Sequence, residues 1–268
     1  MTAPGVRDMT ASRFDTALVE LADDHATGAL YGRSGVVYLC DGVVVHVESP
    51  SAPDLGVRLI ACGRLDPEVW RRAVAEAGRD RRVGGFLVEH GCLTRGELEL
   101  CHLGAVFDAG YFTLLPGSRP TRFLSGASHW LGPVRPVRAE VLRREAGRRR
   151  ALLDRVWPWP ASDEEPVVRR PGGDAHGGHG TGPTRSQRDV LELADGSRTP
   201  AQIAWLLGRS AFTTVLDVRR LAAAGLIETP RQRTAVPTAQ RSAQDRLPQT
   251  TAPDISLLIR LRDALEAL

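Results

Sequence analysis

The chain has 268 residues, room for about two domains of roughly 100–200 residues each. Its 42% hydrophobic content can fill at least one core and excludes wholesale disorder. A balance of 35 basic against 32 acidic groups, net +3, does not by itself announce a nucleic-acid binder. Every one of the 35 basic residues is arginine; without lysine there is no P-loop lysine, no kinase-type ATP lysine and no Schiff-base enzyme. Four cysteines (Cys40, Cys62, Cys92, Cys101) are too few for a disulfide scaffold in a chain this long. The opening MTAPGVRDMTASRFD lacks an apolar h-region, and no window approaches a membrane span. The expectation is a soluble, reduced, cytoplasmic protein.

In chain order, FDTALVELAD (14–23) reads as a short helix. Three strand-like runs follow at 27–33, 35–42 and 43–49, and Asp41-Gly42 between two β-branched runs is a strong hairpin signal. An antiparallel meander is therefore expected. A helix ending at Gly63 comes next, then PEVWRRAVAEAG (67–78), with Pro in its first turn and a closing Gly. Thr94 followed by Glu97 is a capping box that starts a helix over about 95–109. YFTLLP (111–116) and TRFLSG (121–126) read as two more strands, and a basic helix (about 137–155) leads out. Residues 156–183 are dense in Pro, Gly and charge without apolar period, the mark of a flexible linker. Beyond a small unit at 184–233 lies a polar stretch and then ISLLIRLRDALEAL (255–268), an amphipathic helix suited to packing on its own chain or on a twin in a homodimer.

The run TGALYGRSGVVYLCDGVVVHVES (27–49), the small-residue helix after it and DAGYFTLLP (108–116) resemble the PATAN domain of bacterial regulatory proteins. VGGFLVEHGCLTRGELELCHL (83–103) is similar to a helical unit of this and other bacterial adaptor domains. The resemblance covers residues 1–134 and implies a domain for signal reception or protein contact, with no catalytic residues.

TRSQRDVLELADGSRTPAQIAWLLGRSAFTTVLDVRRLAAAGLIETP (184–230) is similar to a winged helix-turn-helix. Its first helix buries Val190, Leu191 and Leu193, and Thr199-Pro200 opens a second that buries Ile203, Ala204 and Leu207. Gly208 makes the turn, and a third helix buries Phe212, Val215, Val218 and Leu221 at three-residue steps. Gly225 stops that helix, and Leu226-Ile227-Glu228 begins the wing. In this motif the third helix enters the major groove. Subtracting the buried set leaves Arg209, Thr213, Thr214, Asp217, Arg219 and Arg220 outward, with Arg231 and Arg233 at the wing tip. Arginine reads guanine through a two-pronged hydrogen bond, and threonine meets phosphate or a thymine methyl. Arg209, Thr213, Thr214, Arg219, Arg220, Arg231 and Arg233 are thus the candidate contacts to duplex DNA.

Two features pull the other way. Asp217 in the presented face would repel phosphate, and winged helices also serve protein contacts. Actinobacterial winged-helix proteins similar to this one accompany small GTPases and roadblock-type partners, which implies an adaptor instead. Charge is also uneven. Residues 1–134 carry 13 arginines against 16 acids, the basic stem 135–155 carries 8 against 3, and 184–233 carries 8 against 5.

Neither a cofactor nor a metal is expected. His90, Cys92, Cys101 and His102 lack paired ligand spacing, because Cys101 and His102 as helical neighbours point about 100° apart. His176 and His179 lie in glycine-rich linker, and GGHGTG (177–182) follows no strand and opens no lysine-bearing helix. Asp23-Asp24-His25 is a turn cluster, and no G-x-S-x-G or H-E-x-x-H occurs. The expected class is therefore α+β, an antiparallel β-meander with packed helices plus a small winged helix, and the expected role is non-enzymatic transcriptional regulation by binding duplex DNA, with a non-DNA-binding signalling adaptor as the alternative.

Overall fold

A computed structural model describes residues 5–170 and 182–228. The fold is mixed α+β around one five-stranded antiparallel sheet. Its strands are β1 (Val6–Asp8), β2 (Gly28–Gly32), β3 (Gly35–Cys40), β4 (Val43–Glu48) and β5 (Pro120–Ser125), in the spatial order β1-β5-β2-β3-β4. The β2–β3–β4 meander follows from its turns. Asp41 and Gly42 both take positive φ (49° and 74°), as a type I′ hairpin requires, and they join Cys40 to its partner Val43. Helix α1 (Phe14–Asp23) buries Phe14, Ala17, Leu18 and Leu21 in the same core as Leu30, Val37, Leu39 and Val47 of the sheet.

Four helices separate β4 from β5. Asp54 caps α2 (Leu55–Ala61) by accepting from Val57 N at 2.8 Å, and Asp66 caps α3 (Pro67–Ala77) through Glu68 N at 2.7 Å. After α4 (Val83–Glu89), the Thr94–Glu97 capping box opens α5 (Arg95–Thr113). Here one expectation fails. The expected strand at 111–116 begins inside α5, where Tyr111, Phe112 and Thr113 are buried and Thr113 Oγ1 donates to Ala109 O at 2.9 Å. Core packing overrides the strand preference of these aromatic and β-branched side chains. A second core, on α2 to α5, gathers Leu55, Leu59, Ala73, Val83, Leu87 and Leu98.

The basic stem is α6 (Ala139–Val156), and it is not a free rod. Leu142, Ala146 and Leu153 are buried, while Arg149 and Arg150 donate to the carbonyls of Phe107 and Leu114 at 3.0 Å each. Three further helices follow: α7 (Arg185–Glu192), α8 (Pro200–Leu207) and α9 (Ala211–Ala223). Capping boxes at Thr184/Gln187 and Thr199/Gln202 open α7 and α8, and Gly208 at φ +58° closes α8. Val190, Ile203, Val218 and Leu221 share a third core.

The expected linker 156–183 is not linker in its described first half. Pro160–Asp163 form a 3-10 turn, and the segment after it lies between two others as a short extended thread. Val167 N donates to Arg198 O (2.8 Å), and Val167 O accepts from Gly196 N (2.9 Å). On its other side Arg170 N donates to Leu226 O (3.0 Å) and Glu228 N to Val168 O (2.8 Å). Alternating Val167 and Val168 supplied the apolar side chain this needs; Val167 is buried in the third core. The expected wing tip and the amphipathic helix expected at 255–268 lie outside the described residues. Among the described residues no helix is long and apolar enough to cross a membrane.

Candidate functional site

The third helix of the expected DNA-reading unit is α9, and its surroundings decide what it can present. Ala211, Phe212, Val215 and Leu216 of α9 belong to the core of the sheet, with α1, α5 and α6. Its N-terminus is seated on Asp108 of α5, which is fully buried. One carboxylate oxygen accepts from Ser210 Oγ (2.7 Å) and Phe212 N (2.9 Å), and the other from Ala211 N (2.8 Å). The free N–H groups and positive end of α9 thus meet a full negative charge. Arg58 Nη1 donates to the same carboxylate at 3.2 Å, and Arg149 stands 3.8 Å away with its guanidinium over the Phe212 ring. Beside this seat, Gly208 lies so close to α2 that a Cβ there would overlap the Ala61 methyl. Trp205 Nε1 donates to Pro50 O at 3.3 Å.

Several expected DNA contacts accordingly point inward. Arg219 is 2% exposed. It donates to both carboxylate oxygens of Asp163 (2.8 and 2.6 Å) and to Trp157 O (2.8 Å), with Asp154 at 3.4 Å. Thr214 and Asp217 are buried too. Arg209 is largely enclosed, donating to Thr214 Oγ1 (3.1 Å), to Ser186 O (3.2 Å) and to Asp217 (3.4 Å). Burial lowers the Arg209 pKa, and Asp217 partly restores it. Asp217, expected to repel phosphate, instead serves Arg209 and Ser186. Thr213 and Arg220 remain exposed. Arg231 and Arg233 lie outside the described residues. Subtracting one buried stripe leaves these side chains outward, but α9 is packed on two: against α7 and α8, and against the sheet domain.

A second constellation is a buried pile of imidazoles. Three of the seven histidines meet here, His46, His102 and His129, at 4%, 0% and 5% exposure. His46 and Glu48 sit two residues apart on β4 and so share a face; Tyr38 on β3 is the register partner of His46. His102 comes from the face of α5 that packs on β4, and His129 from the loop after β5. His46 Nδ1 and His102 Nε2 are 3.3 Å apart, and His46 stacks on His129 with centroids 3.9 Å apart. Glu48 accepts from His129 Nε2 (3.1 Å) and from Tyr38 OH (3.2 Å). The Leu131 N–H donates to His129 Nδ1 at 3.2 Å, which places the proton of the neutral ring on Nε2.

Burial holds His46 well below the usual imidazole range, and its two histidine neighbours add to that. His102 is lowered to about 4, chiefly by burial, which outweighs the pull of the Val45 carbonyl; its Nδ1 makes no hydrogen bond of ordinary geometry. Two neutral imidazoles therefore lie in the interior at pH 7.

The cysteine–histidine set weighed from sequence does not come together. His90 is exposed and stacks on Phe86, Cys92 and Cys101 are half-buried, and His102 faces β4. The alternation of β4 was a signal for His46 and Glu48 sharing a face, but nothing local pointed to His129. Asp108 carried no local signal either. Compared with known proteins, the chain matches no family model, no curated protein and no solved structure.

Proposed function

We propose that the chain is a non-enzymatic signalling adaptor that works through protein contacts, with a PATAN-like sheet domain carrying a winged-helix-like unit as a docked part. The enclosure of α9 carries this reading: Thr214, Asp217 and Arg219 are spent on contacts within the chain. A helix read by DNA must offer its outward side chains to base edges, and here a carboxylate occupies its N-terminus. Roadblock-type proteins or small GTPases are the partner class that the family resemblance implies.

A transcriptional regulator reading duplex DNA is the second interpretation. The turn favours it: Gly208 in the left-handed region joins two capped helices, and Arg220 stays exposed beyond it. In that case the enclosed arrangement is a closed form. Random duplex titrated with the full chain at several salt concentrations separates the two, using wild type and Asp108→Asn. The adaptor reading expects no salt-dependent binding by either protein. Wild-type binding whose log affinity falls linearly with log salt overturns it, because such a slope counts displaced counterions. Binding by the variant alone establishes the closed form of a DNA reader.

A further inference from the structure

We propose that His46, Glu48 and His129 form a binding site for one divalent transition-metal ion of the zinc class, with His102 and Tyr38 as its outer partners. This goes beyond the adaptor reading and does not depend on it. The donor atoms of the three residues all lie within 4.8 Å of one another. A tetrahedral ion with bonds of about 2.1 Å holds its donors about 3.4 Å apart, and His129 Nε2 and Glu48 Oε1 are already 3.1 Å apart.

The outer contacts of His46 and Glu48 are those a metal site uses. A ligating imidazole normally donates its second N–H to a fixed acceptor, and a ligating carboxylate is itself hydrogen-bonded. His46 Nδ1 faces His102 Nε2 at 3.3 Å, which leaves His46 Nε2 as the donor toward an ion. Tyr38 OH holds Glu48 Oε2, and Oε1 is the oxygen that meets His129 Nε2. Two imidazoles and one carboxylate exclude calcium and magnesium, which take six or more oxygens. They suit zinc and its first-row neighbours.

Loading asks for one rearrangement. The rings of His46 and His129 stack at 22°, so their lone pairs do not yet converge. His129 must turn out of the stack, moving its proton from Nε2 to Nδ1 and releasing the Leu131 N–H, a bond of 3.2 Å within the same loop. The ring stays neutral, and the ion takes the place of the hydrogen between Nε2 and Glu48. The bound ion would then tie β4 to the loop after β5.

The test uses the full chain without a histidine tag, stripped with chelator and returned to zinc. One zinc per chain is expected by mass spectrometry of total metal, together with a rise in the unfolding midpoint that zinc gives and magnesium does not. Glu48→Gln and His129→Ala should lose both effects, and His90→Ala should keep them. Should these core variants fail to fold, Tyr38→Phe removes only an outer hydroxyl and should weaken zinc about 10–100-fold. A wild-type chain that binds well under one zinc with no change in midpoint overturns the site. So does zinc that persists in Glu48→Gln and Tyr38→Phe but is lost from a His176→Ala/His179→Ala double variant.

Discussion

Replacing Asp108 by Asn removes one charge and changes almost no volume, so its cost measures the seat of α9 directly. Each near neighbour of the carboxylate is a donor: Ser210 Oγ, Ala211 N, Phe212 N and Arg58 Nη1, at 2.7–3.2 Å. Asparagine keeps one acceptor oxygen and turns an amide N–H toward the rest. About two hydrogen bonds to a charged group are lost, at roughly 1.5–3 kcal/mol each, and Arg58 and Arg149 lose their shared counter-charge. The expected destabilisation is about 3–5 kcal/mol, against roughly 5–15 kcal/mol for a whole domain. Urea unfolding at pH 7 gives the total. Native-state hydrogen exchange locates it, with the amides of α9 losing far more protection than those of β2–β4. Ser210→Ala alone should cost about 1 kcal/mol and couple positively to Asp108→Asn in a double-mutant cycle. A loss below about 1 kcal/mol, with α9 protection unchanged, refutes the idea that this carboxylate anchors the helix.

Three other outcomes follow from the same packing. Gly208→Ala should destabilise by more than about 2 kcal/mol in urea unfolding, since the left-handed backbone and the Ala61 methyl both oppose a side chain; Ala61→Gly should recover only the steric part. Arg219→Ala leaves the half-buried Asp163 without its two-pronged partner and should cost about 3 kcal/mol by thermal unfolding, and Arg219→Lys should restore less than half of it. Glu145 is held down to about 2 by hydrogen bonds from Arg148 and then Arg149. A depressed carboxyl stabilises the fold above its unfolded pKa near 4.5, and this is lost as pH falls toward 2. Glu145→Gln should therefore cost about 1 kcal/mol at pH 7 after solvent screening, and the difference from wild type should shrink steadily below pH 4.5 in urea titrations.

What was legible in the sequence was local. Asp41-Gly42 fixed the β3–β4 hairpin because only residues at ease with positive φ close it, and Thr94 with Glu97 marked the start of α5 because both ends of that bond lie within one turn. The stripe Phe212-Val215-Val218-Leu221 was rightly placed inside, with Val218 and Leu221 packing on α7 and α8. The other packed side of α9 was not legible. Asp108 reads as an ordinary acid in a helix, and its partners at Ser210 to Phe212 come from a distant part of the chain. Arg219 reads as solvated until Asp163 is brought to it by a 3-10 turn in a stretch whose prolines suggested linker. His129 joins His46 only through the sheet and the loop after β5. Tyr111 and Phe112 favour strands by type and are helical by burial.

The extended thread at Val167–Arg170 precedes the helices it serves, yet lies between Ala194–Arg198 and Leu226–Glu228. Anyone excising the C-terminal part at Thr184, where composition invites the cut, would discard the central plank of that small sheet and strip Val167 from beneath α7 and α9. Both flanking segments would then show bare amides and carbonyls to water. A cut upstream of Asp154 keeps the backbone oxygen and carboxylates that grip Arg219, yet it still takes Asp108 and the sheet-domain core away from α9.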